Sequence, residues 1–189
     1  MIFETIIITQ DSDGKPHVAP FGISYEGEFV VISPSKPSAT LDNILATKHA
    51  VMNLTDDVRV FAGALTNRQA WNLLPANKIA GFRLANCLAH AELKLVEVRE
   101  DAMRTALVMK KVFEQNHQPF KGFNRAQLAV IELAVLTSRL HMLSRRKIET
   151  EMRYLQIAID KTAGEREKEA WQWLAEKVEN FYKENAAAD

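Results

Sequence analysis

The stretch Ser33–Asp57, "SPSKPSATLDNILATKHAVMNLTDD", gathers the groups best suited to hold an anion. Ser35, Ser38 and Thr40 supply hydroxyls, Lys36 supplies charge, and Asn43 follows Thr40 by about one helical turn. They stand just ahead of and within a short helix pattern carrying Leu41, Ile44 and Leu45. A helix start exposes unpaired N–H groups and a partial positive charge, so it binds phosphate readily. Ser38 in the N-cap position satisfies one of those donors by itself. Spacing alone therefore leaves two readings, a capped helix and an anion site.

Other chemistry is thinly represented. The histidines, at 17, 49, 90, 117 and 141, never fall at i, i+3 or i+4. Cys87 and His90 lie three apart in a segment that reads as a strand, which places them on opposite faces. No metal site is expected, and Cys87 reads as a small buried residue rather than a nucleophile. No P-loop, G-x-S-x-G or G-x-G-x-x-G is present. Arg125, Glu132 and Arg139 recur every seven residues and so share one face of a long helix, roughly 10 Å apart, which reads as an ion-pair row at a domain or subunit contact or as a row joined by a third group or a ligand. No catalytic acid or base is assigned.

The elements that must position these groups divide into two halves. "IFETIIIT", "HVAPFGISY" and "FVVIS" read as a three-strand meander turned at "DSDGKP" and "EGE". Pro20 lies inside the second strand and cannot donate to a ladder, so its place is at an edge or a bulge. "HAVMNLT" is a further strand, "FAGALTNRQAWNLLPANKIAGF" reads as helical pieces broken by Pro75, and "CLAHAELKLVEVRE" with "RTALVMKKVFEQN" forms a hairpin turning near Glu100–Ala102. Five or six strands with one short helix suggest a small barrel. After the junction "QNHQPFKG" the chain turns helical. "FNRAQLAVIELAVLTSRLHMLSRRK" predicts a central helix, capped by Asn124 and ending on the basic run Arg145–Lys147. Ile148, Met152, Leu155 and Ile159 stripe a second helix, Gly164 breaks it, and Trp171, Leu174, Val178 and Phe181 stripe a third. The expected fold class is α+β, with a barrel domain over 1–117 and a three-helix domain over 118–189.

The 189 residues balance 24 Lys+Arg against 24 Asp+Glu. Neutrality argues against a general nucleic-acid or anionic-membrane binder, and no segment reads as a membrane span. One cysteine excludes an intrachain disulfide and fits a reducing cytoplasm.

The run Lys36, Ser38, Thr40-Leu41-x-Asn43-Ile44 followed by Val51-Met52-Asn53-Leu54 resembles the FMN-phosphate segment of flavin reductase-like split barrels. "DGKPHVAPFGISY" is similar to the strand that passes the isoalloxazine ring there. Together with "FNRAQ…AVIE…TSRL", the chain is identified as a member of the domain-of-unknown-function 447 branch, which joins such a barrel to a C-terminal helical domain. That resemblance implies a split β-barrel, bound FMN, a homodimer, a small-molecule substrate of unknown identity and an oxidoreductase role. The alternative it leaves open is a non-catalytic flavin- or pterin-binding accessory protein linked to one-carbon metabolism. It implies phosphate or ribityl contacts from Lys36, Ser38, Thr40 and Asn43, ring contacts from Ala19, Pro20, Phe21 and Gly22, and a site-lining Asn53. One lysine is a small basic complement for such a site, which Arg59 or an arginine of a second subunit could supplement.

Overall fold

The computed structural model describes residues 1–68, 70–100 and 104–186, in two compact units. The first comprises Met1–Thr55 and Trp71–Phe120; the second comprises Asp56–Ala70 and Lys121–Asp189.

In the first unit, β1 (Phe3–Gln10), β2 (Pro16–Glu26), β3 (Phe29–Ile32), β4 (His49–Leu54), β7 (Ala89–Arg99) and β8 (Ala106–Asn116) form a closed antiparallel barrel. The order around it is β1-β2-β3-β8-β7-β4, and β4 returns to β1. A short helix, α1 (Ala39–Thr47), links β3 to β4. Between β4 and β7 lies a small antiparallel hairpin, β5 (Leu73–Pro75) and β6 (Phe82–Leu84). The barrel is filled by Ile7, Ile23, Val30, Ile32, Leu93, Leu107 and Met109, largely β-branched or unbranched side chains from alternate strand positions. Leu41 and Ile44 of α1 join that core.

The region around Pro75 departs from the expected helical pieces. Among the described residues there, only α2 (Arg59–Leu65) is helical, and the chain then enters the β5–β6 hairpin, with Pro75 ending β5. Val58 and helix α2 belong to the second compact unit. Val58 and Ala62 are buried in the helical unit's core, because the short apolar face of α2 needs a helix surface to cover it. The turn expected near Glu100–Ala102 falls partly outside the described residues; β7 and β8 pair as predicted on either side of it.

The second unit adds α3 (Arg125–Thr137), α4 (Arg145–Thr162) and α5 (Glu165–Ala186) to α2. Asn124 caps α3 as expected, accepting from Ala126 N and Gln127 N, and its amide donates to the Thr162 carbonyl at the end of α4. The start of α3 thus lies against the end of α4, and the two run antiparallel. The predicted stripes hold: Ile148 and Ile159 on α4, and Trp171, Leu174 and Val178 on α5, are buried around Val130 and Leu133.

The single long helix expected from Asn124 to Lys147 is two. Helix α3 ends at Thr137, a turn follows, and Ser144 caps α4 through Lys147 N. The basic run therefore opens α4 instead of closing α3, the unfavourable end for positive charge. Glu149 and Glu151 offset it through i,i+4 pairs with Arg145 (2.7 Å) and Lys147 (3.2 Å). Arg139 lies beyond α3, so the three-residue charge row shrinks to Arg125 and Glu132.

Candidate functional site

The meander opens where β3 stops. Ile32, its last residue, pairs with Ile23 on β2 and Leu107 on β8. Residues 16–22 of β2 therefore have β1 on one side and no paired strand on the other among the described residues. The Ile6 carbonyl accepts from the Asn53 side chain on β4, so the backbone of Ile6 faces β4 and not its partner Pro20. Pro20 consequently turns its imide nitrogen to the open edge, where no ladder bond is lost. The chain leaves the sheet beside that edge as the segment 33–38 and enters α1, which packs on β1 and β2. An isolated bridge between Ser35 and Arg104 ties the segment to the lead of β8.

This arrangement brings the two resemblance-based segments to the same opening of the barrel and sorts their residues. Lys36 is exposed, and Ser38 is half-buried at the N-cap, its Oγ accepting from Leu41 N at 3.3 Å. The Leu41 and Asp42 N–H groups are taken by Ser38, while those of Ala39 and Thr40 meet no described acceptor. Thr40 and Asn43 lie on the buried face of α1. Asn43 Nδ2 donates to Thr9 Oγ1 at 3.0 Å, which clamps α1 to β1. On β2 the period of two splits the predicted ring contacts: Phe21 packs against the barrel core, and Pro20 and Gly22 point to the other face. A Cβ at Gly22 would come within 2.8 Å of Ile2 Cγ2, so the close approach there is already used by the chain's own N-terminal residues.

Asn53 has no exposed surface. Its Nδ2 donates to the carbonyls of Val51 (3.2 Å) and Ile6 (3.4 Å), and its Oδ1 accepts from Leu84 N at 2.9 Å. The side chain is spent on joining β4 to β1 and β6, so it braces the barrel. Asn53→Ala is expected to cost about 2 kcal/mol, the penalty for stranding the buried Leu84 N–H, and to leave flavin affinity unchanged. Chemical denaturation and a flavin titration on the same variant check both halves.

Arg59 is not a spare cation. Asp57 grips it at 2.9 and 2.7 Å and Glu169 adds a contact at 3.2 Å. These hydrogen bonds, Asp57's foremost, hold it above the ordinary arginine range. Cys87 is buried, its Sγ–H donates to the Leu84 carbonyl at 3.2 Å, and burial pushes the thiol up, away from the nucleophilic thiolate.

The sequence reading missed one polar cluster. Glu92 and His90 are both buried on β7, an i, i+2 pair on one face of the strand. Glu92 accepts three successive backbone N–H groups, from Asn77 (2.5 Å), Lys78 (2.6 Å) and Ile79 (3.0 Å). Its other partner is His90 Nε2 at 3.3 Å, and His90 Nδ1 meets His117 Nε2 at 2.9 Å. With Glu92 ionised, His90 donates from Nε2, its Nδ1 accepts, and His117 must donate from Nε2. Burial pushes the Glu92 carboxyl up, but the three N–H groups and His90 outweigh it and hold it below the usual carboxylate range. Burial holds His90 below the ordinary histidine range despite the Glu92 charge, and holds His117 low as well. The signal available in sequence was a charge and a histidine alternating inside the otherwise apolar run "LAHAELKL".

A closed six-strand barrel with a hydroxyl-rich helix start beside it has the fold of solved flavin reductase structures, and here a helical unit follows it. The chain belongs to the family described as "Protein of unknown function (DUF447)": its N-terminal domain matches residues 3–118 and a second domain matches residues 124–176. An FMN-bound protein of that family from Methanosarcina mazei superposes with a TM-score of 0.80 at 21% identity, over 93% of this chain and 94% of that one. The 2-nitrobenzoate 2-nitroreductase NbaA of Pseudomonas fluorescens gives 0.55 at 20% identity, over 60% of this chain and 64% of that one. Flavoredoxin from Methanosarcina acetivorans gives 0.52 at 12%, over 61% and 69%. No curated protein matches the sequence.

Proposed function

We propose that this chain binds FMN at the opening beside β2 and serves, as a homodimer, as an oxidoreductase of the flavin reductase-like type. The observation that carries the reading is the placement of the segment 33–38 and the head of α1 beside the free edge of β2. Lys36, the Ser38 hydroxyl and the N–H groups of Ala39 and Thr40 suit a phosphate in charge and donor count. The open backbone edge of Ala19–Gly22 suits the polar rim of a flat ring. Support also comes from the FMN bound to the Methanosarcina mazei relative and from the reductases among the other similar structures.

Flavin, when bound, supplies electron transfer, so the chain's own residues have only to bind it, orient it and admit a donor and an acceptor. This accords with the site's composition: Asn53 and Asn43 brace the barrel around the opening, and neither His90 nor Glu92 is left free for acid–base work. The free, buried Cys87 accords with the reducing cytoplasm proposed for such a protein.

The purified protein is expected to be yellow, to release FMN identified by mass, and to bleach when NADH or NADPH is added without oxygen. Colourless protein that fails to quench the fluorescence of added FMN would overturn the reading. Tight FMN binding with no bleaching by either nicotinamide would instead assign a non-catalytic flavin carrier or accessory role.

A further inference from the structure

A cleft of about 290 Å³ runs along the α3–α4 pair of the helical unit. Two small side chains account for it. Ala129 on α3 and Ala158 on α4 both line the cleft, where larger residues would fill the space between the helices. Ala129 is 2% exposed, so it closes the floor and leaves contact to the walls. Leu128, Tyr154 and Ile157 form those walls and are 49%, 73% and 47% exposed. Large apolar side chains uncovered together around a concavity mark a binding surface, as scattered single ones do not.

Size and charge identify what fits. The volume stands at the lower end for small-molecule pockets, which begin near about 300 Å³. A partner helix is about 10 Å across with its side chains, so it would straddle such a cleft instead of entering it. The charged residues among those lining the cleft are Arg125 and Glu132. Both are exposed, and neither side chain forms a hydrogen bond or ion pair with a described residue. Arg145 and Lys147 at the start of α4 differ, since each finds a glutamate one turn on. Arg125 also opens α3, where a positive side chain opposes the helix dipole. An anion placed there is favoured by the guanidinium and by the helix start together. Glu132 lies two helical turns on, roughly 10 Å away, and repels a second negative charge. The cleft is therefore polarised: it accepts an anion at one end, is apolar along its middle, and rejects an anion at the other end.

We propose that the α3–α4 cleft binds a small amphipathic organic anion. Its carboxylate or sulfonate lies on Arg125, its apolar body lies between Leu128, Tyr154 and Ile157, and its uncharged or cationic end points to Glu132. The site is built wholly from the helical unit, so it stands independently of the flavin reading.

Fluorescence titration of the full chain with two probes tests it. Anilinonaphthalene sulfonate has an apolar aromatic body and one anionic group; phenylnaphthylamine has the same body without the charge. The wild type should bind both. Arg125→Ala should weaken the sulfonate about tenfold, the worth of one charge-assisted contact at a partly open site, and leave the uncharged probe unchanged. Glu132→Gln should tighten the sulfonate, because a like charge is removed, and again leave the uncharged probe unchanged. Ala158→Leu, which fills the cleft, should weaken both probes. A wild type that binds neither probe, a sulfonate affinity indifferent to Arg125→Ala, equal losses of both probes in that variant, or a weaker sulfonate in Glu132→Gln would each overturn the proposal. Arg125 and Glu132 are exposed, so their variants carry the test even where Ala158→Leu disturbs packing; far-UV circular dichroism checks the fold of all three. A flavin titration on the same samples should be unaffected, which separates a failure here from a failure of the flavin site.

Discussion

Replacing Glu92 by alanine should destabilise the barrel unit by about 3 kcal/mol, the loss expected when a buried carboxylate that satisfies several donors is removed. Three successive N–H groups, those of Asn77, Lys78 and Ile79, lose their acceptor at once, and His90 loses the partner that fixes its tautomer. Those N–H groups form a concave nest at the tip of the β5–β6 hairpin, so the carboxylate is what pins that hairpin to β7. For a chain of this length the loss corresponds to a fall in Tm of about 6–12 °C, read by circular dichroism. Glu92→Gln should fall between the two, because one carbonyl oxygen can still accept while the new NH2 group faces donors. An alanine variant that melts with wild type would show that the hairpin is held by other contacts.

The same cluster sets a pH dependence whose sign is fixed. Glu92, His90 and His117 all have folded-state pKa values below their ordinary ones. A group depressed in this way stabilises the fold above its unfolded pKa and loses that contribution as pH falls through the folded value. Stability should therefore begin to decline as pH drops below about 6.5, where unfolded histidine takes up a proton, and decline further below about 4.3, where unfolded glutamate does. Glu92→Gln should remove the lower part of that decline and keep the upper.

The barrel could be read from sequence because its strands carry their signals locally. Ile- and Val-rich runs, the Asp-Gly turn and the hydroxyl cap before α1 each state their own structure. The helical stripes of α4 and α5 were equally plain, since a period near 3.6 is visible without any knowledge of the partner. Two errors share a cause. The run from Asn124 to Lys147 looked like one helix because nothing between Thr137 and Ser144 is a strong breaker; the break is enforced by the need to fold α4 back against α3. The stretch 61–82 reads locally as helical pieces broken by Pro75, whereas the hairpin within it is stabilised by distant groups, Asn53 on β4 and Glu92 on β7, that no local window contains. At the candidate site the residue types were visible but their directions were not. Side-chain orientation on α1 turned Thr40 and Asn43 inward, and the β pleat turned Phe21 into the core. Lys36, Ser38 and the open edge of β2 are left as the groups facing outward.

If the phosphate rests on the segment 33–38, Lys36→Ala should weaken FMN roughly 10- to 100-fold, the worth of one charge-assisted hydrogen bond. Riboflavin, which has the ring and ribityl chain but no phosphate, should bind wild type and variant alike. Lys36→Arg should restore most of the FMN affinity, since charge rather than shape is at stake. Thr40→Ala, on the buried face, should change FMN affinity little, and the double Lys36→Ala, Thr40→Ala variant should resemble Lys36→Ala alone. Fluorescence titration of both flavins reads every arm. Equal losses for FMN and riboflavin would mean that the lysine supports the ring or the fold, and unchanged FMN affinity would move the phosphate away from α1. Because Lys36 is exposed and pairs with no described residue, its removal leaves the folded chain intact, so a selective loss of FMN can be assigned to the phosphate itself.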